Sequence, residues 1–301
     1  MTVVVVSFNT RELLRRCLAS LYAAAATDGL AVEVVVADNA SGDGSAALVA
    51  KEFPEAFLLA GERNLGFAAA SNLGLALGRG RHFLLLNPDT EVRAGALRAM
   101  LDFLEATPRA ACVGPNLVYG DGSAQRSCFR FPSLTMQFLD LFPLHPRLMV
   151  SRLNGRYPLG GSEPYPVDHP LGACMLLRRE AVAQLGPLDE GYFIYCEEVD
   201  WCWRARKAGW QVYCVPRATV LHHEAQSTRQ FAEPMFVELY RSRYRLFAKY
   251  YSPWRRAAVR AVIRLGMARL SLRDRWQASR GDLSPEKLRA RLRTYAEIAR
   301  M

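Results

Sequence analysis

The chain opens Met1-Thr2-Val3-Val4-Val5-Val6-Ser7-Phe8, and its four consecutive valines constrain the fold more than any other stretch. Residues 3–8 are too few for a stable helix and too uniformly apolar for a strand with one wet face. They predict a strand buried on both sides, as strands of parallel sheets are. Residues 11–26 follow with Leu14, Cys17, Leu18 and Leu21 at helical spacing. The alternation continues with a strand at 32–37, a helix at 45–53, a short strand at 57–59, a helix at 68–77, a strand at 82–86 and a helix at 94–106 ended by Pro108. Such alternation predicts an α/β fold with a mostly parallel central sheet flanked by helices.

Beyond this point the pattern loosens. Residues 115–170 are rich in Pro, Gly and aromatics, and 157–170 read as a long loop able to cover a cleft. Order returns with a strand at 172–178, helices at 179–185 and 197–208, the latter stopped by Gly209, and short strands at 211–215 and 219–222. With 301 residues, half of them apolar, the chain can bury an ordinary core. Its start has no basic segment ahead of an apolar one and no small-residue cleavage site, which predicts a cytoplasmic protein without a secretory signal. Seven cysteines, odd in number and with no C-x-x-C pair, predict reduced thiols in place of disulfides or a zinc site.

Open α/β sheets bind ligands beyond the carboxyl ends of their strands, where Ser7, Asn9, Asp38, Asn39 and Asp89 all fall. In Asp38-Asn39-Ala40-Ser41 a carboxylate just past a strand can accept from a base or from ribose hydroxyls; the alternative is a turn capped by Ser41 or Asp43. In Leu86-Asn87-Pro88-Asp89 the proline fixes the turn, presenting Asp89 rigidly. A hard cation bridging two phosphates needs few protein ligands, so one such carboxylate can suffice; the alternative is an acid ahead of the helix at 94–106. Glu197-Glu198-Val199-Asp200 opens a helix, where the macrodipole favours acids, and Asp200 stands four residues before Arg204. Three acids in four residues behind Tyr192-Phe193-Ile194-Tyr195 also suit an enclosed site with a general base. Of His222 and His223, at the end of a strand, only one can face a given site.

In order along the chain, Val3-Val4-Val5-Val6-Ser7-Phe8-Asn9, Asp38-Asn39-Ala40-Ser41, Arg63-Asn64-Leu65-Gly66-Phe67, Leu86-Asn87-Pro88-Asp89, Gly172-Ala173, Leu188-Asp189-Glu190, Glu197-Glu198-Val199-Asp200 and Trp203-Arg204 resemble glycosyltransferase family 2, and within it the rhamnosyltransferase-like branch. The resemblance spans roughly residues 1–250. It implies a GT-A fold over residues 1–234, with a nucleotide-binding half at 1–110 and an acceptor-binding half at 111–234. It also implies inverting transfer from a nucleoside diphosphate sugar, with dTDP-L-rhamnose the expected donor and a glycan or lipid-linked molecule of surface polysaccharide synthesis the expected acceptor. Ser7, Asn9, Asp38 and Asn64 would hold the nucleoside. Asp89 matches the last acid of the family's D-x-D motif, which binds Mg²⁺ or Mn²⁺ through the diphosphate, and His222 matches an additional metal ligand of some relatives. Glu198 stands where the family places its catalytic base, usually an Asp. Two departures are evident: Asn87 replaces the first acid of D-x-D, and Glu198 is one methylene longer, so Glu197 and Asp200 remain alternatives for the base.

Charge is concentrated at the end: residues 235–301 carry 17 Lys+Arg and 5 Asp+Glu, whereas residues 1–234 are nearly neutral. Within this basic tail, residues 257–272 place Val259, Val262, Ile263, Gly266, Met267 and Leu270 on one face of a helix, with Arg256, Arg260 and Arg264 elsewhere. An amphipathic basic helix suits an anionic membrane at the inner face of the cell. Packing of the same stripe on the catalytic domain or on a second subunit stays open, as does self-association. A sugar nucleotidyltransferase would want a Gly-rich basic phosphate loop, which Ser7-Phe8-Asn9-Thr10 lacks. A nucleic-acid-binding protein would explain the tail but not the acidic loops, so no nucleic acid is expected.

Overall fold

The computed structural model describes residues 1–223 and 232–301, which form two compact units. The first draws on residues 1–131, 157–193 and 197–223, and the second on 132–156, 194–196 and 232–301.

The first unit is organised by β1 (Thr2–Ser7), which lies between β2 (Glu33–Asp38) and β4 (His82–Leu86) and is parallel to both. Helices α1 (Arg11–Thr27), α2 (Ser45–Glu52) and α3 (Phe67–Leu77) make the crossovers, and β3 (Phe57–Ala60) extends the sheet beyond β2. Alternate residues serve opposite faces. Val3, Val5, Leu84 and Leu86 join a core with Leu14, Leu18 and Leu21 of α1 and with Leu97, Met100 and Leu104 of α4 (Ala96–Ala106). Val4, Phe83 and Leu85 join a second core with Ala68, Leu75, Met175, Leu177 and Trp201. Two covered faces explain why these strands carry no polar alternation.

Past β4 the sheet becomes mixed. A short strand β5 (Thr90–Val92) precedes α4, then come β6 (Ala110–Val118), β7 (Ala124–Gln125) and β8 (Cys128–Phe129). The expected loop over 157–170 contains β9 (Tyr165–Val167) and β10 (His169–Pro170), which pair with other strands despite the prolines; their brevity hid them. Strand β11 (Cys174–Arg178) runs antiparallel between β4 and β6. The two short strands expected at 211–215 and 219–222 are one, β12 (Gln211–His222), parallel to β6 with a register shift between Val215 and Thr219. Pro216, which has no N–H to give a ladder, lies in that interruption. The strand order is β3-β2-β1-β4-β11-β6-β12-β5. Helices α7 (Arg179–Leu185) and α8 (Glu197–Lys207) complete the unit. All seven cysteines are free and buried, in agreement with reduced thiols.

In the second unit, α5 (Leu134–Leu141) and α6 (Pro146–Met149) accompany α9 (Ala232–Tyr250), α10 (Pro253–Ser279) and α11 (Pro285–Arg300). Here the expectation for the tail is corrected. Val259, Ile263 and Met267 are buried in a core with Leu141, Val237, Phe247, Tyr295 and Ile298, against which Val262 and Leu270 also rest. Gly266 sits so close that a Cβ there would come within 2.7 Å of Leu141 Cδ1. That stripe is consumed by protein packing and is not available to a membrane. Among the described residues no helix is long and apolar enough to cross one.

The closeness of α3 to β1 yields a prediction. Gly74 lies directly over Val4, where an added Cβ would collide with the valine methyls. Gly74→Ala should therefore destabilise the protein by about 1–3 kcal/mol, as overpacking does, despite the better helix propensity of alanine. Chemical denaturation measures this, and an unchanged or raised midpoint would show that α3 and β1 are not so closely apposed.

Candidate active site

The parallel registers Ser7 to Asp38 and Val5 to Leu86 bring the carboxyl ends of β1, β2 and β4 to one edge. The chain leaves β1 through Asn9, which has φ +52°. Its N–H donates to Ser41 Oγ (2.9 Å), and its Oδ1 accepts from Gly42 N–H (2.8 Å), tying the β1 and β2 loops together. Ser7 is fully buried with its hydroxyl 3.0 Å from that of Thr10. Asp38 Oδ2 accepts from Ser41 N–H (2.9 Å), while Oδ1 is buried without a protein partner among the described residues. An orphaned carboxylate oxygen at the strand end is what a nucleoside-binding acid would show before its ligand arrives. The turn-capping role belongs to Asp43, which accepts from the N–H groups of Arg11 and Ser45. Against the desolvation it suffers, those bonds and the Ser45 hydroxyl hold its carboxyl below the usual range.

Asn64 Oδ1 accepts from Gly66 N–H (2.9 Å), closing the turn that leads to α3. Gly66 has φ +82°, and a Cβ there would strike the Phe193 carbonyl, which accepts from Phe67 N–H at 2.6 Å. The Arg63–Phe67 motif is thereby accounted for by close approach of backbone. The Leu188–Glu190 motif is an anchor: the Asn72 amide bonds both the N–H and C=O of Leu188 and also Glu190 Oε1.

Asp89 and His222 come together. Asp89 follows β4, His222 ends β12, and His222 Nε2 lies 3.5 Å from Asp89 Oδ1 with both side chains almost fully enclosed. The other ring nitrogen, Nδ1, is 3.0 Å from Gln125 Oε1. A carbonyl oxygen only accepts, so Nδ1 is the donor in this contact, and Nε2 is the ring nitrogen that faces the carboxylate. An imidazole nitrogen and a carboxylate oxygen brought together in this way are donor types that a divalent cation accepts. Among the described residues no three His, Cys, Asp or Glu side chains are placed to hold a metal alone, so a divalent ion here would complete its shell with diphosphate and water oxygens. Gln125, on the two-residue strand β7, carried no motif by which the sequence could have singled it out. His223 points the other way, to Glu91 Oε1 at 2.8 Å, as strand alternation requires.

The acidic cluster is sorted by its surroundings. Tyr195 and Cys196 both have positive φ, +70° and +68°, immediately before α8, an uncommon conformation for side chains of that size. Asp200 is fully buried and bound by Arg204 Nε (3.0 Å) and the Tyr192 hydroxyl (3.4 Å), while Arg204 also donates to the carbonyls of Leu185 and Pro187. Glu197 is buried; desolvation first, then the Glu198 charge, pushes its carboxyl well above the usual range. Glu198 is less enclosed and its side chain faces Gly172, whose added Cβ would lie 3.7 Å from Glu198 Cγ. The next residue, Ala173, accepts from Asn87 N–H at 2.9 Å. The Asn87-Pro88-Asp89 turn and Glu198 therefore flank the same two residues, Gly172-Ala173.

Comparison with known proteins identifies the family and the fold. Residues 2–186 match the family model described as glycosyl transferase family 2. The N-acetylglucosaminyl-diphospho-decaprenol L-rhamnosyltransferase of Mycobacterium tuberculosis is 36% identical over 279 residues, covering 88% of this chain and 90% of that protein. The rhamnosyltransferase WbbL of Escherichia coli is 32% identical over 83 residues, covering 28% of this chain and 31% of that one. A mannosyltransferase from Pyrobaculum calidifontis, solved with GDP-Man and Mn²⁺, has a similar fold with a TM-score of 0.56 at 16% identity, covering 99% of this chain and 84% of that chain. GalNAc-T7, solved with UDP, GalNAc and Mn²⁺, gives 0.52 at 19% identity over 73% of this chain and 43% of that one. With its GT-A fold, the chain is a glycosyltransferase that belongs to glycosyl transferase family 2, in the rhamnosyltransferase-like branch.

Proposed function

We propose that this enzyme is a metal-dependent, inverting rhamnosyltransferase that moves L-rhamnose from dTDP-L-rhamnose to a lipid-linked glycan in surface polysaccharide synthesis, working at the inner face of the cell membrane. The observation that carries the reaction class is the meeting of Asp89 with His222 at one side of Gly172-Ala173 and of Glu198 at the other. The rhamnosyl donor and the lipid-linked acceptor are supported by the likeness to the M. tuberculosis L-rhamnosyltransferase over most of both chains. We assign nucleoside binding to the loops of residues 1–110, through Asn9, Asp38 and Asn64 with Ser7 beneath them, and acceptor binding to residues 111–234.

Asp89 and His222 would hold Mg²⁺ or Mn²⁺, which supplies positive charge to the diphosphate as it departs. Gln125 fixes the His222 ring so that Nε2 is the ligand atom. Glu198 takes the proton of the acceptor hydroxyl while that oxygen bonds to the anomeric carbon. The bond from that carbon to the diphosphate oxygen breaks on the opposite face, its electron pair leaving with dTDP, so the configuration inverts. Glu198 suits this role because it stands in the first turn of α8, facing Gly172 and less enclosed than Glu197, whose carboxyl is pushed up by burial and then by the Glu198 charge.

The donor is tested by calorimetry with dTDP, UDP and GDP. Tighter binding of dTDP is expected, and a clear preference for UDP would remove the rhamnose donor while leaving the glycosyltransferase standing. Transfer should stop on chelation. Asp89→Asn should weaken dTDP binding only in the presence of metal, and Gln125→Leu should lower metal affinity by about tenfold or more; transfer that survives EDTA would sink the metal reading. Glu198→Gln should lower kcat by roughly 10²–10⁴ with donor affinity near wild type. Glu197→Gln, which keeps the shape of the enclosed side chain, should remain within a few-fold of wild type. The reverse pattern of losses would move the base to Glu197.

A further inference from the structure

Helix α10 carries a second apolar stripe that nothing in the protein covers among the described residues. Its inner face is spent on the core of the second unit, yet Trp254, Leu265, Leu272 and Trp276 are 65%, 63%, 70% and 58% exposed. Separations of eleven, seven and four residues place all four on one line of a helix with about 3.6 residues per turn. Between them the alanines Ala258, Ala261 and Ala268 fall near the line, and Arg269 at its edge donates to the Leu141 carbonyl, so the stripe is smooth and about 33 Å long from tryptophan to tryptophan.

Charge identifies what this face meets. The helix has seven arginines and a single acid, Asp274. That acid is fully buried, bound by Arg273, Arg291 and the Tyr295 hydroxyl. Arg255 and Arg273 lie along one margin of the stripe and Arg264 and Arg275 along the other, leaving no exposed carboxylate on the helix. At the ends, the Arg255 guanidinium lies 5.2 Å from the Trp254 ring and that of Arg280 lies 4.8 Å from Trp276. Tryptophans at both ends, leucines between and arginines on both sides match a surface that is apolar below and anionic at its boundary. A folded protein partner would need acids set on both sides of a straight apolar groove. A bilayer containing anionic phospholipid offers that arrangement everywhere.

We propose that the outward face of α10 docks this enzyme on an anionic phospholipid surface, with the helix lying in the interface and Trp254, Leu265, Leu272 and Trp276 inserted. The proposal deepens the reading of a lipid-linked acceptor, which would be presented at such a surface. It uses a face opposite to the stripe that the sequence pattern brings forward.

The test uses the full chain with vesicles of roughly one-third phosphatidylglycerol in phosphatidylcholine, and with vesicles of phosphatidylcholine alone. The wild type should sediment with the anionic vesicles only, with a blue shift of tryptophan emission, and should be released as salt rises to about 0.5 M. Leu265→Asp with Leu272→Asp, both at exposed positions, should lower partitioning by about tenfold or more with the circular dichroism spectrum unchanged. Arg264→Glu with Arg275→Glu should act in the same direction. Equal sedimentation with both vesicle types, or none, would overturn the proposal. So would a wild-type dimer that the double aspartate variant dissolves, since the face would then belong to a second copy. Binding of dTDP is measured in parallel: vesicle binding that persists without dTDP affinity supports the docking face and sinks the donor reading instead.

Discussion

The parallel seating of β1 between β2 and β4 is the constraint on which the rest depends. Strands that pair in parallel cannot be joined by hairpins, so each return must cross over, and α1 and α3 supply those crossings. Parallel neighbours all end at the same edge. Ser7 is thereby level with Asp38 and Val5 with Leu86, and the residues that follow these strand ends emerge into one row of loops. The polar groups of the candidate nucleoside site follow strand ends whose places are set by four buried valines.

The second requirement is a change of direction. Strand β11 enters antiparallel to β4, so its beginning, not its end, stands beside the Asn87 turn. This brings Gly172-Ala173 to the edge from residues far along the chain. The long strand β12 then runs parallel to β6 and hands its last residue, His222, to Asp89, while β5 pairs antiparallel with the same end and holds the turn from the other side. The two metal-ligand candidates, 133 positions apart, need this reversal and the bulge at Pro216 to meet.

The early helices and strands were legible because each carries one dominant period, and the observed bounds fall within a residue or two of the expected ones. From the residues alone Glu198 was one of three acids, and only the family resemblance set it ahead; their different surroundings, with Arg204 on Asp200 and the core around Glu197, are not written in the local pattern. Gln125 was invisible. It sits on a strand of two residues, and its importance comes from a histidine 97 positions later. The prolines around β9 and β10 spoke for a loop, yet Asp168 between them accepts from Phe131 N–H and pairs with Arg206. Side-chain anchoring can thus order a segment whose backbone signals are those of a turn.

The tail shows a different limit of pattern reading. An amphipathic stripe is inferred by finding one face apolar and taking the opposite face as solvated, which works when a helix has a single partner. Helix α10 has apolar residues on two sides, and periodicity cannot say which side the protein itself will take. The choice follows from shape. Val259, Ile263, Gly266 and Met267 are small or flexible enough to admit close packing, with Gly266 meeting Leu141 directly. Trp254 and Trp276 are too bulky for so close a helix contact and remain outside with their arginines. The basic charge of the region belongs to the outer face for the same reason: guanidinium groups accompany the residues that stay in contact with water, whereas the helix's one carboxylate is drawn inward by Arg273, Arg291 and Tyr295.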